Sequence, residues 1–330
     1  GGISGAMFQI GALAALEDAL EGFDANGVDV YFGAASGATV AAALAGGRPV
    51  QRLYRALLDP ADDYFPLERR HLLRGDAGEW RRAMSAGLDA LQHGARSLFR
   101  KGPPPSAAVL WEQLDRFYDT LPAGAYSLDG YERFLEDFFV RRGVPNNFAA
   151  MPRPLRVMAH DLDSGEATLF GREGLDHVPV TRTCVASLAL PPFFSPVRIG
   201  ERYYIDAGAA QAEILDAAVG EGAEVVLMIN AQVPVVTEEV PTGHGRRRSV
   251  RDKGLLWVSN QAGRIASQRA VRETVTRVRE KTGTRVILIE PETTDGILFL
   301  HNPASFAARR DILEYGYRTT RARASKWLER

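Results

Sequence analysis

Hydrophobic positions along the chain fall into two kinds of block, some at helical spacing and some in short continuous runs, and the two kinds alternate. Phe8, Leu13, Leu16 and Leu20 predict a helix over 6–22 that Gly22 stops. Residues 29–32 form a β-type run that breaks at Gly33-Ala34-Ala35-Ser36-Gly37 and resumes as an alanine-rich helix to residue 45. A helical patch over 50–58 follows, then a largely helical stretch over 62–105 in which Leu67, Leu72, Trp80, Met84 and Leu88 alternate with arginines. Gly102-Pro103-Pro104-Pro105 reads as a stiff linker. Beyond it, helices are predicted over 107–121 and 127–142, with Ser127 as cap of the second.

From residue 155 the runs become strand-like, at 155–159 and 166–170 around a turn, and again at 198–204 after a short helix over 180–190. Helices over 209–220, 255–280 and 304–329 enclose apolar strands at 224–230 and 285–289, with a loop over 233–249. Strands at 29–32, 155–159, 224–230 and 285–289 separated by helices predict one α/β domain over 1–330, its mostly parallel sheet covered on both faces. The stretch 62–105 is a helical insertion in that plan.

The break at 33–37 carries the most chemistry. Strand, sharp turn and helix is the setting of a nucleophile elbow, G-x-S-x-G, whose middle residue is thrust outward while glycines occupy the crowded flanking positions. Gly33 and Gly37 take the flanks, which puts Ala35 in the nucleophile slot and leaves Ser36 one place out of frame. The glycines Gly1, Gly2 and Gly5, read as a loop before the first helix, aim backbone amides at one point, as an oxyanion site requires. A phosphate-cradling dinucleotide loop is the rival reading of such a turn.

Composition narrows the classes. Of 330 residues, 45% are hydrophobic and 25% charged, an ordinary globular balance. Forty basic and 41 acidic residues give a formal charge of -1, so nucleic acid is not an expected partner. The run Arg246-Arg247-Arg248 reads as solvated surface. Cys184, the single cysteine, excludes an intrachain disulfide and suits a reducing, cytoplasmic compartment. There is no apolar run long enough to span a membrane. No signal peptide is visible, but the chain starts inside the glycine loop and reads as trimmed ahead of it, so a targeting segment stays open. His160 beside Asp161 and Asp163 could suggest a metal, yet carboxylates at a hairpin turn are ordinary turn formers, and neither metal nor cofactor is expected. The apolar and arginine residues of 62–105 suit a membrane-surface helix or a lid; a packed surface insertion fits them equally.

The glycine-rich start, the elbow and Tyr203-Tyr204-Ile205-Asp206-Ala207-Gly208, in that order, resemble the patatin-like phospholipases. The runs 159–166 and 186–197 are similar to further stretches of that family. The resemblance implies a three-layer α/β/α fold and a Ser-Asp dyad acting on lipid or other ester substrates. Asp206 is then the general base, and the amides of Gly1, Gly2 and Ile3 hold the oxyanion. The chain departs from the pattern at Ala35, where the family has serine, at Ser4, where Arg or Lys is common, and at Ala207 in D-G-[GA]. None of the six histidines lies in a recognisable triad setting. The expectation is a lipid acyl hydrolase in a form without its nucleophile, and therefore inactive; a pseudoenzyme that binds acyl lipids or esters is the alternative.

Overall fold

The computed structural model describes residues 2–98, 119–208, 210–236, 240–242, 245–247, 249–294, 297–300 and 308–328. In chain order the first half contains α1 (Gly2–Ala19), β1 (Tyr31–Ala34), α2 (Ser36–Ala45), α3 (Val50–Leu58), α4 (Arg69–Leu72), β2 (Arg74–Gly75), α5 (Ala77–Leu98), β3 (Tyr126–Ser127) and α6 (Asp129–Arg142). The second half contains β4 (Leu155–Asp161), β5 (Ala167–Phe170), α7 (Val180–Leu188), β6 (Val197–Ile199), β7 (Arg202–Ile205), α8 (Gln211–Gly220) and β8 (Val225–Ile229). It closes with β9 (Val240–Thr242), β10 (Gly245–Arg247), α9 (Leu255–Lys281), β11 (Arg285–Ile289), α10 (Ile297–Leu300) and α11 (Arg309–Leu328). The linker at 102–105 and most of the helix expected over 107–121 lie outside the described residues.

Strand alternation explains the layers. In β4, Leu155, Val157 and Ala159 face the main core, where α2 and α7 pack against each other and onto the sheet. Met158 faces the other way and meets Phe32, Ala34 and Leu169 together with Ile214 and Ala217 of α8. One sheet between two helical layers is the three-layer α/β arrangement expected. Phe8, Leu16, Leu135, Phe138, Phe139 and Phe170 are fully buried in the main core. Each such side chain contributes about 1.5–3 kcal/mol by leaving water.

The sheet is mixed, not mostly parallel. β1 runs parallel to β4, but β5, β6 and β7 enter as hairpin arms, giving antiparallel β4/β5, β4/β7 and β6/β7 ladders. The strand expected over 198–204 is two strands turning at Gly200, whose φ is 61°. Among the described residues β8 and β11 pair in parallel with each other, with no ladder to the larger sheet. The loop expected over 233–249 contains the short β9/β10 hairpin.

Another difference bears on the site. The helix expected from residue 6 already runs from Gly2, because Ile3 and Met7, four apart, both bury against the core. At the other end of the chain α11 packs along α1, with Tyr315 6.2 Å from Phe8 between ring centroids. Nor is the stretch 62–98 a detachable appendage, since Leu67 and Leu72 belong to the main core and β2 pairs with β3. The N-cap of α6 is Leu128 and not Ser127 as expected; Ser127, one residue earlier, accepts the Asp129 amide at 3.1 Å in a local turn. Among the described residues no helix is long and apolar enough to cross a membrane.

Candidate active site

The β1 ladder delivers the chain to the elbow in register, with Gly33 opposite Val157 and Ala34 opposite Met158. At Ala35 the backbone turns to φ 51°, ψ -131°, and among the described residues Ala35 is the one non-glycine with positive φ. Such a conformation costs on the order of 1–3 kcal/mol and persists only where its surroundings enforce it. Here the Ala35 N–H donates to Ser187 Oγ at 2.7 Å, and the Ser187 hydroxyl donates to the Met158 carbonyl at 2.6 Å. Ser187 is wholly buried on α7, so one side chain ties the apex of the turn to the central strand.

The two flanking glycines are not equivalent. A Cβ on Gly33 would lie 2.5 Å from Ala38 Cα and 2.9 Å from Gly37 O, both backbone atoms that cannot yield without unwinding the turn. A Cβ on Gly37 would meet only the amide end of Gln9, at 3.1 Å. Ser36, the first residue of α2, is buried, and its hydroxyl finds no hydrogen-bond partner among the described residues.

Asp206 follows β7 directly and is held by the same segment that holds the elbow. Its N–H donates to Ala189 O at 3.0 Å, and the Ala207 N–H donates to Ser187 O at 3.3 Å. Residue 187 thus contacts the Ala35 turn through its hydroxyl and the Asp206 loop through its carbonyl. The Asp206 carboxylate accepts the Gly208 N–H at 2.6 Å, and a Cβ on Gly208 would stand 2.5 Å from the same oxygen, which accounts for glycine at the third position of D-x-G. Desolvation pushes the Asp206 carboxyl above the usual carboxylate range, against the opposing pull of the Gly208 amide and His160.

His160 is the neighbour that sequence reasoning missed. Its Nδ1 lies 3.3 Å from the Asp206 carbonyl and its Nε2 3.4 Å from a Glu213 carboxylate oxygen. Only the β4/β7 register, which sets His160 opposite Ile205, brings it there. Asp161 is a turn former as expected: it accepts the Asp163 and Ser164 amides at 3.0 and 3.1 Å and pairs with Arg202 at 2.5 Å. The Arg202 guanidinium accordingly holds its carboxyl below the usual value. Cys184 is no rival nucleophile, because burial pushes its thiol up to about 12.

These elements enclose a cavity of about 350 Å³. Its wall is mainly apolar, with Met7, Ile10, Val40, Leu57, Leu72 and Phe193 contributing, and Ser36, Thr39, Arg69 and Asp206 supply polar groups. Size and lining are those of a site for a small amphiphilic ligand. Gly2 and Ile3 line it too, from the first turn of α1, where amides lack a carbonyl four residues earlier. Gly1 lies outside the described residues. Ala35, only 1% exposed, is not part of the lining, whereas Ser36 is.

A family model described as patatin-like phospholipase matches residues 1–219. No curated protein sequence matches the chain. Among solved structures it is similar to VipD from Legionella pneumophila, at 13% identity and a TM-score of 0.37, over 99% of this chain and 66% of that one. It is also similar to the type III effector protein ExoU, at 14% identity and a TM-score of 0.34, over 99% of this chain and 52% of that one. The chain thus spans between half and two thirds of the length of these two proteins.

Proposed function

The chain belongs to the patatin-like phospholipase family, which acts on lipid acyl esters, and from that premise we propose that 33–37 and 206–208 are the two halves of a Ser-Asp dyad site in which Ala35 occupies the nucleophile's place. With serine at 35, its Oγ attacks the ester carbonyl while Asp206 takes the proton. Backbone amides of Gly1, Gly2 and Ile3 receive the oxyanion. Collapse of the tetrahedral intermediate breaks the ester C–O bond, and the alcohol leaves with the proton from Asp206; water then attacks the acyl-enzyme, giving its proton to Asp206, which returns it to the serine Oγ as the acid leaves. A carboxylate whose pKa is raised is a better base than a free one, so the desolvation of Asp206 favours this role. The methyl of Ala35 has no lone pair with which to attack, and the chain as it stands is inactive in this reading.

The observation that carries the reading is the backbone of Ala35. A residue with a Cβ is held at φ 51° between a strand and a helix, where an unconstrained turn would use glycine. An apolar cavity reaching Asp206 supports a lipid substrate. The same cavity beside a methyl at 35 also favours a second reading, a protein that binds acyl lipids or esters without cleaving them.

The test is hydrolysis of phosphatidylcholine micelles and of a short soluble ester by the chain, by Ala35→Ser, and by Ala35→Ser with Asp206→Asn. Activity is expected in Ala35→Ser alone, with Asp206→Asn lowering it by a factor on the order of 10² or more. A folded Ala35→Ser protein that binds these esters and leaves them intact favours the second reading.

Docking of 62–105 on a lipid surface belongs to the same proposal. On α5, Trp80, Met84 and Leu88 recur at four-residue spacing and are 47%, 66% and 56% exposed.

A further inference from the structure

Among the described residues, the cavity beside Asp206 has one cation in its wall. Arg69 opens α4 and is exposed to solvent, while Leu72 and Leu73 beside it also line the cavity. Three arginines of α3, α4 and α5, none of them in the cavity wall, are paired: Arg70 with Glu68 at 3.0 Å, Arg52 with Asp62 at 2.7 Å, Arg82 with Glu79 at 2.8 Å. The Arg69 guanidinium has no hydrogen-bond or ion-pair partner among the described residues, and it forms no pair with Asp206, the one carboxylate in the same wall.

A free guanidinium presents five N–H donors in a planar fork, the arrangement that matches an anionic oxygen group. Placed at the solvent side of an apolar cavity, it meets the head of an amphiphile whose chain lies inside. Asp206, when ionised, would repel the same anion, so the two groups favour one orientation of the ligand. We propose that Arg69 is the anion subsite of this cavity, holding the charged oxygens of an amphiphile's head while the chain lies against Met7, Leu57, Leu72 and Phe193. The subsite rests on the lipid reading of the cavity and not on a nucleophile at 35. Two sources supply the chemistry, the phosphodiester of an intact lipid and the carboxylate of a released fatty acid.

The chain as it exists can be titrated calorimetrically with decylphosphocholine, decanoate and decyl maltoside, each below its micellar concentration, for the parent, Arg69→Gln and Arg70→Gln. Arg69→Gln is expected to reduce the affinity of an anion-bearing decyl ligand relative to decyl maltoside by roughly tenfold, the modest size appropriate to an exposed charge. Arg70→Gln should leave that ratio within about twofold of the parent. A fall for decylphosphocholine identifies the phosphodiester, and a fall for decanoate alone identifies the carboxylate. Ratios unchanged in Arg69→Gln, or falling equally in Arg70→Gln, overturn the subsite. Hydrolysis is read separately: an inactive Ala35→Ser protein with the Arg69 effect intact removes the dyad and keeps the subsite, and activity without the Arg69 effect does the reverse.

Discussion

Replacing Ser187 by alanine deletes one buried oxygen and disconnects the apex of the elbow from the sheet. The Ala35 N–H loses its acceptor at 2.7 Å and the Met158 carbonyl loses a donor at 2.6 Å, with no water able to replace either at a side chain that is 0% exposed. A buried group left without a partner costs about 1–3 kcal/mol. The amide, which can make only one such bond, bears most of the loss; the carbonyl has a second lone pair. The expected destabilisation is therefore about 2–4 kcal/mol, a large share of the roughly 5–15 kcal/mol of a typical domain. Urea unfolding followed by tryptophan fluorescence measures it, with an unchanged m-value showing that the unfolded state is the same. If Ser187 holds a strained turn, its removal should cost on the order of 1 kcal/mol less in an Ala35→Gly background, where φ 51° carries no strain. A loss below about 0.5 kcal/mol, or full additivity with Ala35→Gly, refutes the reasoning.

Gly33→Ala should destabilise by about 1–3 kcal/mol because its Cβ meets backbone, and Gly37→Ala by less than about 1 kcal/mol because Gln9 can move aside; thermal unfolding of the two variants checks the order. Asp206 gives a pH signature. Its folded pKa is raised, so between the unfolded value of about 3.9 and the folded value the native state keeps a proton that the unfolded chain has released. Its contribution is therefore full below the unfolded pKa and lost as pH rises through the folded one. Asp206→Asn escapes that loss, and its stability relative to the parent should grow as pH rises from about 4 through the folded value in urea unfolding; a constant difference contradicts the raised pKa of the carboxyl. In the Ala35→Ser background, Trp80→Ser with Met84→Ser should lower turnover on vesicles more than on a soluble short-chain ester, and equal losses on both would remove the docking role of α5.

How much of this was legible in the chain depends on the range of the interaction. The sharp strand-to-helix turn at 33–37 was, because glycine at 33 and the β-to-helix switch are dictated by neighbours within five residues. The D-x-G turn was, because Gly208 answers to Asp206 itself. Ser187 and His160 were not. Each reaches the site from a distant part of the chain, through contacts 152 and 46 residues apart, and only sheet registry selects them. The mixed sheet was hidden for the same reason: β7 reads as an apolar run whatever the direction in which it pairs with β4. The first helix was misjudged because glycines near a start suggest a loop, while burial of Ile3 and Met7 rewards helix from Gly2 onward.

The frame of the elbow is the point on which the account stands. Ala35 has the strained backbone, yet Ser36 has the hydroxyl and lines the cavity. Treating Ala35→Ser with a serine-directed alkyl phosphonate and locating the adduct by peptide mass spectrometry decides between them. One adduct is expected, on residue 35, that persists when Ser36→Ala is added and is absent from the parent chain. An adduct on Ser36 in the parent, lost on Ser36→Ala, would contradict it.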